Sequence, residues 1–125
     1  MIKLKFLHAC EQVIVSQAGS FSVINIFNEV DTNGLPAINP KFVIISSIIG
    51  PVGIYDQTIE IISPDGKPIA YSNGKSDIKG SGGNNFVANF INLAFPLEGA
   101  YWIKVTVDGN ILTNKDEHYI LVKKK

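Results

Sequence analysis

With 125 residues, 46% of them hydrophobic and 18% charged, the chain has the size and balance of a single globular domain spanning residues 1–125, able to bury a core without disulfide or metal staples. Eleven lysines offset eleven acidic side chains and arginine is absent, which removes the basic footprint and planar guanidinium fork that nucleic-acid recognition leans on. Cys10, the single cysteine, rules out an internal disulfide and, with no export signal in view, points to a reducing cytoplasm.

The opening residues set lysines among apolar positions without the apolar run of a signal peptide, so they read as the start of a strand, Ile2 to Val15. Its apolar positions change parity, from Leu4 and Phe6 to Val13 and Val15, and a β-bulge near Glu11-Gln12 accounts for the switch. Gln17 to Ser20 turns into a strand from Phe21 to Val30, and Asp31 to Pro40 reads as a loop rich in Pro, Gly and Asn. Phe42 to Ile49 is apolar on both parities, the pattern of a strand covered on both faces or offered to a partner. The apolar stretch that continues to Ile54 is broken by Ser46, Ser47, Gly50, Pro51 and Gly53, too interrupted to cross a bilayer.

Ser63-Pro64-Asp65-Gly66-Lys67 is a turn between Gln57–Ile62 and a short strand Pro68–Tyr71, with Pro64 presetting φ and Gly66 taking the left-handed position. Asn73 to Asn85 reads as a mobile connector, and its Gly80-Ser81-Gly82-Gly83 lacks the Gly-Lys-Ser/Thr and helix of a phosphate loop. Phe86 to Phe95 is again apolar on both parities. Ala100 to Val107 alternates cleanly, Tyr101, Ile103, Val105 and Val107 to one face and Trp102, Lys104 and Thr106 to the other. Asp108-Gly109-Asn110 then reverses the chain into Ile111 to Thr113, and Glu117 and His118 fall in the last strand. The closing Lys123-Lys124-Lys125 reads as a solvated terminus.

Strands joined by turns, with no helix between them, imply an all-β sandwich. In Leu97-Glu98-Gly99-Ala100-Tyr101, Gly99 and Tyr101 have the spacing of a tyrosine corner, in which the phenol bonds back to upstream backbone. The fold expected is therefore an immunoglobulin-like Greek-key β-sandwich of about seven or eight strands. The order Cys10-Glu11, Ala18 to Phe27, Phe42-Val43-Ile44-Ile45, Ser63-Pro64-Asp65-Gly66, Leu97 to Tyr101 and Val107-Asp108-Gly109 resembles a family of small, uncharacterised bacterial β-sandwich proteins. That resemblance implies a fold and a bacterial or phage setting, and no activity.

Candidate chemistry is sparse. His8 and Cys10 share a strand face, and with His118 and a carboxylate from Glu11 or Glu117 they approach the donor count of a zinc site. The competing reading makes His8 and Cys10 core positions; a Cys10 nucleophile would need His8 or His118 as base. Asp31, Asn33 and Asp108 stand beside turn glycines, where they serve as turn formers or calcium ligands. No catalytic motif and no cofactor signature occurs. Trp102, outward-facing beside Lys104, is either a binding anchor or a cover over apolar surface. The expectation is a non-enzymatic interaction module that pairs with itself as a homodimer through a sheet edge or apolar sheet face. A small-molecule or metal site at His8, Cys10 and His118 is the alternative, and a surface or virion adhesion module a further one.

Overall fold

A computed structural model describes residues 1–80 and 83–125, so Ser81 and Gly82 of the expected connector lie outside the described residues. The chain is all-β: β1 (Lys3–Val15), β2 (Phe21–Ile26), β3 (Glu29–Thr32), β4 (Ala37–Ile49), β5 (Gly53–Ile62), β6 (Pro68–Ile78), β7 (Asn84–Phe95), β8 (Gly99–Val107), β9 (Asn110–Ile111) and β10 (Tyr119–Lys124). They form a four-stranded sheet in the order β2-β1-β4-β7 and a six-stranded sheet in the order β3-β10-β8-β5-β6, with β9 paired to β8. Pairing is antiparallel throughout except for β3 with β10. Among the described residues no helix is long and apolar enough to cross a membrane.

The strand count exceeds seven or eight for identifiable reasons. Phe21–Val30 is two strands, because the chain leaves the four-stranded sheet at Phe27-Asn28 and continues as β3 in the other. Most of the expected loop Asp31–Pro40 is strand, since β3 runs to Thr32 and β4 begins at Ala37. The expected connector Asn73–Asn85 is largely strand as well. Polar residues there still alternate, and Gly74 sits where a Cβ would stand 2.6 Å from the Phe86 ring, so this glycine makes room for a side chain rather than a turn. Glu117 and His118 precede β10 and belong to a turn.

The parity change in β1 has a different location from the one expected. The β1–β4 register shifts between Leu4 and Phe6, which carries Leu4, Leu7 and Ala9 to the core side and Phe6, His8 and Cys10 to the other. At Glu11 the β1–β2 register is unchanged; its neighbour Asn25 takes φ 55° and donates a side-chain hydrogen bond to the Glu11 carboxylate.

The core lies between the sheets. Phe42, Ile44, Ile48, Ala88 and Phe95 from the four-stranded sheet meet Ile59, Ile61, Tyr101, Ile103, Val105 and Ile120 from the six-stranded one. Phe95 bridges them, edge-on to Phe42 at 5.6 Å and to Tyr101 at 5.0 Å between ring centroids. The Tyr101 hydroxyl donates to the Leu97 carbonyl (2.7 Å) and accepts the Leu97 N–H (2.9 Å), closing the corner before β8. Deep in the core, Ser46 of β4 donates to Gln57 Oε1 (2.6 Å) and Gln57 Nε2 donates to Ser76 Oγ of β6 (2.7 Å). Gln57 thus ties the two sheets through a fully paired polar bridge.

Candidate functional site

The outward face of β8 lies across from the core, and the strand order decides what surrounds it. Trp102 pairs with Ile62 of β5 on one side and with Tyr119 of β10 on the other, giving a Tyr119–Trp102–Ile62 row across the middle of the six-stranded sheet. In the next row Lys104 pairs with Glu60, which pairs with Tyr71. Lys104 Nζ lies 5.6 Å from the Trp102 ring centroid and 3.9 Å from Glu60 Oε1, so its charge is already engaged twice. Lys104 thus stands between the Glu60 carboxylate and the indole face.

Beside Trp102 is a cavity of about 420 Å³ lined by Ile62, Ser63, Pro64, Gly66, Ala100, Trp102, Lys115 and Asp116. Two turns build its walls. In the first, the Gly66 N–H donates to Ser63 O (2.8 Å), the Ser63 N–H to Lys67 O (2.8 Å) and the Lys67 N–H to Asp65 Oδ1 (3.2 Å). This last bond is the main reason the Asp65 carboxyl stays below its ordinary value. Gly99 takes φ 129° and leaves a gap that Pro64 fills: a Cβ there would stand 2.9 Å from the proline ring, so the turn lies directly on the start of β8.

The second turn carries Lys115 and Asp116. Asn114 Oδ1 accepts the N–H groups of Asp116 (3.1 Å) and Glu117 (3.0 Å), and His118 Nδ1 accepts the Asn114 N–H (3.1 Å). His118 is thus a loop fastener with its Nδ1 lone pair in use.

Among the described residues, only two buried side-chain polar atoms have no hydrogen-bond partner, Ser63 Oγ and Trp102 Nε1, and both residues line this cavity. Ser63 is 5% exposed. Its hydroxyl is near enough to Asp65 to add to the depression of that carboxyl, but does not reach hydrogen-bonding geometry with it. Buried groups of this kind cost about 1–3 kcal/mol each, and when they gather in one place they call for a reason.

The metal candidates His8, Cys10 and His118 do not gather into one site. His8 and His118 both border a small cavity of about 80 Å³ with Glu117, but Cys10 does not line it. No group of three or more His, Cys, Asp or Glu among the described residues can hold a metal ion. His8 stacks on Phe6 at 5.4 Å between centroids, and burial pushes the Cys10 thiol up. The calcium candidates are dispersed too. Asp31 lies in β3 opposite Lys123, whereas Asp108 and Gly109 turn β8 into β9 with φ 46° and 83°, the Asp108 carboxylate accepting the Asp56 N–H (2.8 Å).

A further cavity, about 440 Å³, opens between Glu11, Gln12, Phe27, Glu29, Val30 and Asn39–Lys41. Its carboxylates already have partners, Glu11 with Asn25 and Glu29 with Lys123 at 3.2 Å. Among the described residues the buried side-chain polar atoms without a partner belong to Trp102 and Ser63, and the cavity these residues line is the candidate site.

A family model described as a family of unknown function, DUF6941, matches residues 5–116. The chain belongs to this family. The match takes in the Ser63–Gly66 turn, Trp102, Lys115 and Asp116, so the whole candidate site lies within the family's own domain. Among curated proteins, none matches the chain.

Proposed function

We propose that this member of the family is a non-enzymatic binding module whose recognition site is the cavity beside Trp102. The observation that supports it most is a concave, largely apolar pocket of ligand size whose lining includes Trp102 and Ser63, the two residues that also carry the unpaired buried polar atoms. The aromatic row around it, Trp102 with Tyr119 and the exposed Tyr71 nearby, is the residue chemistry that concentrates binding energy. The Tyr101 corner and the two sheets around a common core support a variant of the immunoglobulin-like Greek-key sandwich as the scaffold. The buried Cys10 thiol supports the reading without catalysis.

The test uses the chain's own reporter. Trp102 is the only tryptophan, so intrinsic fluorescence and the indole N–H resonance report on this site alone. A fragment screen should yield compounds that perturb both signals saturably, with Trp102→Ala weakening their affinity about tenfold or more by titration calorimetry, which needs no tryptophan. Hits whose spectral changes map elsewhere and ignore the Trp102→Ala change would sink the reading.

A second reading is self-association, as a homodimer, through the outer face of the four-stranded sheet. Ile24 and Ile26 pair with Gln12 and Cys10, and Ile91 pairs with Lys41, all on the side away from the core; Ile26 is 51% and Ile91 79% exposed. Light scattering at high micromolar concentration should then give twice the chain mass, and Ile91→Lys with Ile26→Lys should return a monomer. A monomeric wild-type protein at that concentration removes this reading.

A further inference from the structure

We infer that a second copy of this chain adds to the sheet edge at β2, antiparallel across a two-fold axis, with Phe21 of each copy opposite Val23 of the other. This rests on self-association, as the second reading above does, but puts the contact on a strand edge instead of a sheet face. The β1–β4 ladder ends at Cys10–Val43, while β1 runs on to Val15 and returns as β2, so from Glu11 to Ile26 the chain is a two-stranded arm with no third strand paired to it. Its apolar side chains lie on both faces, Val13, Phe21 and Val23 on one and Ile14 and Ile24 on the other. None of them belongs to the core between the sheets or packs against it. A two-stranded ribbon of this kind is marginal in water until its edge and its apolar surface are covered.

The register decides which backbone groups are open. The Ser16 N–H donates to Ser20 O (2.8 Å), and from there Val15 pairs with Phe21, Ile14 with Ser22 and Val13 with Val23. Inward and outward groups alternate along an antiparallel ladder, so Ser20 and Ser22 turn their N–H and C=O toward β1, and Phe21 and Val23 turn theirs to the open side. Phe21 set opposite Val23 of the second copy exchanges both backbone hydrogen bonds with it, and pairs an aromatic with a β-branched side chain. Ser22 then meets Ser22 of the second copy at the axis, in the close pair without hydrogen bonds.

Charge argues for a second copy as the occupant. In a two-fold edge contact any charge near the axis faces its like, which is destabilising. β2 has no charged residue and no proline, the devices that keep edge strands apart. The other edges differ: β3 is short and carries Glu29 and Asp31, β6 carries Pro68, Lys75 and Asp77, and β7 lies against β6 of the other sheet.

The experiment mixes charge variants at Ser22, which is exposed and tolerates them without loss of fold. Wild-type protein should be a dimer by light scattering at high micromolar concentration, with the Phe21 and Val23 amides slower in hydrogen exchange there than in dilute solution. Ser22→Lys and Ser22→Glu, each alone, should dimerise about tenfold or more weakly, and an equimolar mixture of the two should restore the dimer. Ile91→Lys, at the opposite edge of the same sheet, should leave the dimer intact, whereas a face contact predicts its loss. A dimer that ignores both Ser22 variants, a mixture that stays monomeric, or Phe21 and Val23 amides indifferent to concentration overturns the inference. Loss of the dimer in Ile91→Lys overturns the edge contact while self-association stands. A monomeric wild type overturns both.

Discussion

Two of the places where the described residues bury polar side chains treat them oppositely. Between the sheets, Ser46, Gln57 and Ser76 form a closed chain in which each group has its partner at 2.6–2.7 Å. Beside Trp102, on the far side of the six-stranded sheet, the hydroxyl of Ser63 and the indole N–H have none. The first arrangement is what folding selects, since in a low-dielectric core a paired polar bridge fixes how two sheets meet while an unpaired one only costs stability. The second is tolerated at a surface cavity. The contrast separates polar groups that serve the fold from polar groups left over for something else.

The contrast breaks most visibly at Gln57. Gln57→Leu puts an apolar side chain of roughly similar volume in place of the amide and strands the Ser46 and Ser76 hydroxyls, and is expected to cost about 3 kcal/mol in urea unfolding. Replacing all three together, Ser46→Ala and Ser76→Ala with Gln57→Leu, should recover most of the loss, because no unpaired group then remains. A single substitution as mild as the triple one would mean that the bridge is not the inter-sheet tie described here. Tyr101→Phe comes next. It removes one hydroxyl that both donates to and accepts from Leu97, and should cost about 1.5 kcal/mol by the same measurement.

Much of this was visible in the sequence, and what was hidden has a common cause. The alternation of β8, the turns at Asp65-Gly66 and Asp108-Gly109, and the place of Tyr101 ahead of β8 are local patterns, carried by period two and by residues that accept positive φ. Trp102 was visible as an outward aromatic for the same reason. Its neighbours were not. Ile62 and Tyr119 flank it only because β8 lies between β5 and β10, an order that local pattern does not encode. Ser63 read as one turn residue among several, and Gln57 as the first residue of a strand. Gly74 and Ser76 read as loop composition, although they face Phe86 and Gln57 inside the fold. His8, Cys10 and His118 looked like a set because spacing along a strand gives a shared face but says nothing about which sheet a third residue joins.

Ser63→Ala carries the opposite sign to the changes at Gln57 and Tyr101. Deleting a buried hydroxyl that has no partner removes a desolvation cost and no hydrogen bond, so stability should stay level or rise, by up to about 1 kcal/mol. A loss resembling that of Tyr101→Phe would show the hydroxyl to be paired in solution and would erase the distinction between the two regions.

The smallest effect is the most specific, and it concerns Asp65. Its carboxyl is held below the ordinary 3.8 mainly by the Lys67 N–H, with Ser63 a lesser influence. A depressed folded value contributes stability above the unfolded carboxyl's pKa, and that contribution disappears as the pH falls through the folded value. The side chain lies at the surface, so the unfolding midpoint should lean only gently on it through this acid range. The titration itself is the sharper measurement. Followed by carboxyl carbon shifts, Asp65 should remain depressed in Ser63→Ala, because the backbone donor that dominates is untouched. A return toward 3.8 in that variant would identify Asp65 as the hydroxyl's partner, leaving Trp102 Nε1 alone as the unpaired group in the cavity.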